Sequence, residues 1–93
     1  MVRHIVFFKL NNPSDKEAIK QKLLTLKDKV DVVENLEVGL NFSEEARAYD
    51  VSLIVDLKDK DSLTIYANDE YHQEVIKYIK TKANDTKVVD YAY

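Results

Sequence analysis

The stretch that most constrains this chain is YDVSLIVDLKDKDSLTIYANDEYHQEVIKYI, residues 49–79. It opens as an alternating run, with Tyr49, Val51, Leu53, Val55 and Leu57 on one face and Asp50, Ser52, Ile54 and Asp56 on the other. That two-residue period is a strand. Lys58-Asp59-Lys60-Asp61-Ser62 then offers turn and cap residues for a short helix carrying Leu63, Ile65 and Tyr66. Asn68-Asp69 interrupts the helix, and either residue can cap a second one, in which His72, Val75, Ile76 and Ile79 share a stripe. A long strand followed by two short helices commits the chain to a mixed α and β architecture.

The remaining segments fit around this unit. VRHIVFFKL, residues 2–10, is β-branched and aromatic and runs into Asn11-Asn12-Pro13, which reads as a strand ended by turn formers. It sets His4, Val6, Phe8 and Leu10 against Arg3, Ile5, Phe7 and Lys9, with large apolar groups on both faces. Ser14 and Glu17 match a capping box, and Ile19, Leu23, Leu26 and Val30 recur at helical spacing, which predicts a helix over 14–31. Leu36, Val38, Leu40 and Phe42 alternate strictly and predict a strand over 36–42. Gly39, the only glycine, falls on its opposite face, where a bulge or a close approach is expected. Ser43–Ala48 reads as a loop. Lys87–Tyr93 returns as a last strand, with Val89, Tyr91 and Tyr93 opposed to Val88, Asp90 and Ala92.

The order is β-α-β-β-α-β, a ferredoxin-like α+β domain over residues 1–93 with a four-stranded antiparallel sheet and helices on one face. The other sheet face has no helix to cover it, yet carries Ile5, Phe7, Ile54 and Val88. Such a patch on a small domain marks an interface, and a homodimer through the open sheet face is expected. A chain of 93 residues without cysteine has no disulfide to stabilise it, which also favours oligomerisation.

Composition excludes several classes. With 45% hydrophobic and 33% charged residues, the chain is globular rather than disordered. Its net charge of −3 and interleaved signs give no basic patch for nucleic acid. No apolar run is long enough to span a membrane. Met1 leads directly into a strand, so no signal segment is expected and a cytoplasmic location is the default. Two histidines and no cysteine predict no metal site, and without a glycine-rich loop no nucleotide cofactor is expected.

The opening strand VRHIVFFKL, the strand YDVSLIVDL and the segment Tyr66-Ala67-Asn68-Asp69-Glu70-Tyr71-His72 together resemble the stress-responsive A/B-barrel (Dabb) domain, a family of dimeric α/β barrels. Family members typically show a Tyr and, six residues later, the final His of a His-Pro-x-His turn. Tyr66 and His72 keep that spacing, while Asp69 and Glu70 stand where His-Pro is usual. The resemblance implies a dimer with two sheets packed into a barrel and a pocket between sheet and helices in each subunit. The pocket would be lined by His4, Val6, Val51 and Leu53. In a plant polyketide cyclase of the family, the equivalents of Tyr66 and His72 carry a cofactor-free aldol condensation and a histidine at the position of His4 lines the pocket. A further pocket histidine there corresponds to Val51 here.

A neutral imidazole can take a proton from carbon next to a carbonyl, and a phenol can donate to the oxygen where charge develops. His72 as base and Tyr66 as donor are therefore the candidate catalytic pair. The same residues also admit a purely structural reading: His72 at a helix start, Tyr66 as a core aromatic bonded to backbone, His4 as a half-buried strand residue. Three functions follow. They are a dimeric protein binding a small hydrophobic or aromatic carbonyl compound, a cofactor-free cyclase-like or monooxygenase-like enzyme, and a structural stress-protein assembly.

Overall fold

The computed structural model describes residues 1–93. Strand β1 (Val2–Leu10) lies inside the sheet, antiparallel to β3 (Val51–Leu57) on one side and β4 (Ala83–Ala92) on the other. β2 (Val33–Leu40) pairs with β3, giving the four-stranded order β2-β3-β1-β4. The helical layer consists of α1 (Lys16–Leu24), α2 (Leu26–Lys29), α3 (Lys60–Asn68) and α4 (Glu70–Lys80). This is the ferredoxin-like α+β fold that the pattern predicts.

Partners across a ladder share a face, so register decides which side chains meet the helices. Val6 pairs with Leu53 and Val88, and Phe8 with Val51 and Thr86. The helix-covered face therefore takes Val2, Val6, Phe8, Leu10, Val51, Leu53, Val55 and Leu57, all buried. Ile19, Leu23, Leu26, Val30, Val75 and Ile79 close over it from the helices. A buried aliphatic side chain of this kind contributes about 1.5–3 kcal/mol.

The open face needs one correction. Val88 was expected there, but its pairing with Val6 turns it to the helix side, and Val89, opposite Ile5, takes the outer position. Adjacent valines give alternation no means of choosing between faces. The open face thus carries Ile5, Phe7, Ile54, Val89 and Tyr91, with Phe7 44% and Val89 59% exposed.

Local chemistry explains the other departures. Instead of the expected capping box, Asn12 Oδ1 accepts from both the Ser14 amide (3.0 Å) and the Ser14 hydroxyl (2.8 Å), above a single 3₁₀ turn at Pro13–Asp15. The helical segment is broken at Thr25, whose hydroxyl donates to the Lys22 carbonyl (2.6 Å) and also meets the Tyr71 hydroxyl. β2 begins and ends earlier than expected. Phe42 lies beyond it and is 97% exposed, whereas Leu36, Val38 and Leu40 pack on the core. At Gly39 a close approach is present: an added Cβ would lie 2.8 Å from Ser52 Oγ. Asp50 and Asp56 are both buried but serve separately, Asp50 accepting from the Leu10 amide (2.7 Å) and Asp56 pairing with Arg3 (2.8 Å).

Candidate functional site

The link between α3 and α4 is a single residue. Asp69 has extended backbone (φ −63°, ψ 134°), ends α3 by donating its amide to the Tyr66 carbonyl (3.3 Å), and starts α4 by accepting the His72 amide on its carboxylate (3.0 Å). The expected helix break and its cap are thus one device. It folds the end of α3 against the start of α4, so that the rings of Tyr66 and His72 lie 4.2 Å apart at 43°. His4, near the start of β1, meets Tyr66 edge-on at 5.8 Å and 64°. The two histidines of the chain therefore flank one tyrosine.

Each ring has a defined polar environment. Tyr66 is 1% exposed, and its hydroxyl is buried with no hydrogen-bond partner, contrary to the structural reading in which it bonds to backbone. Burial pushes that phenol well above the usual tyrosine range, so it is a neutral donor at ordinary pH. Burial also holds His72 below the usual imidazole value, opposed by the Ala67 carbonyl and aided by the proximity of His4. His72 Nδ1 faces the Ala67 carbonyl at 3.3 Å. A carbonyl only accepts, so Nδ1 carries the proton and Nε2 keeps its lone pair. His4 Nδ1 lies 2.5 Å from Asp90 Oδ1, and the same argument leaves the Nε2 of a neutral His4 as an acceptor.

These groups line a cavity of about 500 Å³ between the sheet and α4. Val6, Phe8, Leu53, Ile76, Ile79 and Val88 form its apolar wall, and Lys80, Asn84, Asp85 and Thr86 its far end. Of the residues anticipated from the chain, Tyr66, His72, His4, Val6 and Leu53 come together here. Val51 does not: it is buried in the core, and it borders instead a separate depression of about 420 Å³ shared with Phe7, Leu40 and Tyr49. Asp90 and the Lys80–Thr86 end were not anticipated. Asp90 is a lone carboxylate alternating with Val88, and only the pairing His4↔Asp90 connects it to the site. Nowhere do three or more histidine or carboxylate groups gather in a metal-binding arrangement. No helix is long and apolar enough to cross a membrane.

Known structures share this architecture. A dimeric protein of unknown function with a ferredoxin-like fold from Bacteroides fragilis is 26% identical, with a TM-score of 0.85 over 99% of this chain and 95% of its own. A dimeric ferredoxin-like protein from Thermobifida fusca is 24% identical, with a TM-score of 0.85 over 99% of this chain and 90% of its own. A hydroxynitrile lyase from Passiflora edulis is 14% identical, with a TM-score of 0.83 over 97% of this chain and 90% of its own. No curated protein sequence matches the chain. The family profile of the stress-responsive A/B-barrel domain (Dabb) matches residues 2–93, nearly the whole length, and the chain belongs to that family.

Proposed function

We propose that the cavity binds a small, largely apolar molecule bearing a carbonyl or similar oxygen, and that this oxygen accepts the Tyr66 hydroxyl. The observation that carries the reading is the hydroxyl itself, buried and unpartnered beside about 500 Å³ of mainly apolar space. Buried polar groups are nearly always hydrogen-bonded, and leaving one unpaired costs about 1–3 kcal/mol. A ligand oxygen relieves that cost. The cavity size and its few convergent polar groups are those of small-molecule sites. The protein acts as a homodimer through the open sheet face, as the apolar Ile5, Phe7, Ile54 and Val89 and the dimeric relatives support.

A second reading, turnover at the same site, is favoured by the neutral His72 imidazole lying against the Tyr66 ring. His72 Nε2 takes a proton from carbon next to the carbonyl. The C–H electron pair moves into the enolate, and the enolate oxygen is stabilised by the Tyr66 hydroxyl. Return of the proton from the imidazolium to carbon completes exchange; in aldol chemistry the carbanion attacks a second carbonyl, the C=O electron pair moves onto its oxygen, and that alkoxide takes the proton from the imidazolium. No electron acceptor is required. The fold of this chain is also that of a hydroxynitrile lyase, so it can house a reaction.

Thermal unfolding with a panel of methyl ketones and aromatic carbonyl compounds tests binding. A ligand at a hundred times its Kd stabilises the folded state by about 2.7 kcal/mol. The shift is expected in the wild type, reduced in Tyr66→Phe. Absence of any shift contradicts the reading. For turnover, NMR in deuterated water should show exchange of the proton next to the carbonyl, abolished in His72→Ala. Binding without exchange leaves the protein a binder only.

A further inference from the structure

We infer that the ligand is two-ended: an oxygen-bearing head at Tyr66 and His72, an apolar stem along the cavity, and an anionic group at the far end met by Lys80. This rests on the cavity being a ligand site. It goes further, assigning a chemical class and a specificity-determining residue.

The cavity is elongated, and two elements measure it independently. On β1, the lining residues His4, Val6 and Phe8 follow one another along one face, and four strand steps span roughly 13 Å. On α4, His72 and Lys80 line opposite ends, eight residues and about 12 Å apart along the helix axis. Between the ends the walls are Val6, Leu53, Ile76 and Val88, which suit an alkyl or aryl stem and no charge.

Charge bookkeeping along the wall singles out Lys80. At the head end, the His4 ring is hydrogen-bonded to Asp90 (2.5 Å), and burial holds the pKa of His72 below the usual imidazole value. At the far end, Asp85 is committed to the Tyr49 hydroxyl and to Lys87 (3.4 Å), which hold its carboxyl below the usual range. Lys80, an exposed residue of the cavity's lining, makes no ion pair or side-chain hydrogen bond within the protein, so it is the one basic residue of the wall without a partner. Lys77, in the same last turn, favours the α4 C-terminus equally without lining the cavity, so that local role does not account for where Lys80 stands. The complementary ligand is a medium-chain oxo-carboxylate, with ketone and carboxylate at opposite ends.

The test compares such a keto acid with the methyl ketone of equal length that lacks the carboxylate, titrated by NMR into the wild type and Lys80→Met. Methionine keeps an apolar stem and removes the charge. The wild type is expected to prefer the keto acid by about fivefold, the range of a partly exposed ion pair. The preference should fall as salt is raised, and Lys80→Met should abolish it, bringing the two compounds to equal Kd. Equal binding of the two compounds by the wild type, or a preference that survives in Lys80→Met, overturns the inference and leaves the cavity reading standing. Binding of neither compound overturns both.

Discussion

The two halves of the helical layer are built to different standards. Over β2 and β3, Ile19, Leu23, Leu26 and Val30 of the first helical segment are essentially inaccessible and pack against Val51, Leu53, Val55 and Leu57 of β3, which are equally closed, and against the partly buried Leu36, Val38 and Leu40 of β2. Over β1 and β4, α4 contributes Val75 and Ile79 to the core, but Ile76 and His72 remain half-buried, and β4 is exposed at every residue after Ala83. The inward positions of that edge strand, Thr86, Val88 and Asp90, are small or charged and do not fill the space beneath the helix. The cavity is therefore an underfilled core. The site lies where apolar residues stop being supplied on facing elements, and polar ones, His4, His72 and Asp90, are set there instead.

Truncations should separate the halves most strongly. Leu23→Ala is expected to lose about 2–5 kcal/mol, while Ile76→Ala, already beside a void, loses less than about 1 kcal/mol. Urea unfolding of both variants checks this, and equal losses would break the comparison. Tyr66→Phe has an effect of opposite sign. Without ligand it should leave stability unchanged or raise it by up to about 1 kcal/mol, because it deletes a hydroxyl that has no partner. A clear loss would mean that the hydroxyl is bonded in the free protein.

The smallest effect is a pH dependence confined to the hollow half. The folded pKa of His72 lies below the ordinary 6.5, so between those two values the unfolded chain holds a proton that the folded chain lacks. Stability should fall as pH drops from 6.5 toward the folded pKa and level off below it. His72→Gln should flatten that part of the curve. An unchanged slope in the variant would place the titration elsewhere. Asp56, whose carboxyl Arg3 holds below its usual 3.8, contributes only in the more acidic range.

The fold was legible because its strongest signals are periodic. Four alternating or aliphatic runs and two stripes suffice to order the elements, and Asp69 marks the junction between α3 and α4. Tyr66 and His72 could be paired because six residues across one cap bring both rings to the same place. What alternation does not carry is register. The face of Val88 and the meeting of Asp90 with His4 both depend on which partner stands across the ladder. Val51 lies on the expected face with Leu53 but outside the cavity, so the resemblance that implies a pocket position for it does not carry over. Phe42 shows a different failure. Its alternation is sound, but β2 ends at Leu40. The hollow itself is a matter of summed side-chain volume, which no single position reveals.

The most direct test of a ligand site in the hollow half is methyl NMR of the wild type during titration with a medium-chain methyl ketone. Saturable shifts are expected for the Val6, Ile76, Ile79 and Val88 methyls, with Ile19 and Leu23 unmoved. Shifts centred on Ile5, Ile54 and Val89 of the open face, or no saturable shift at all, would contradict it.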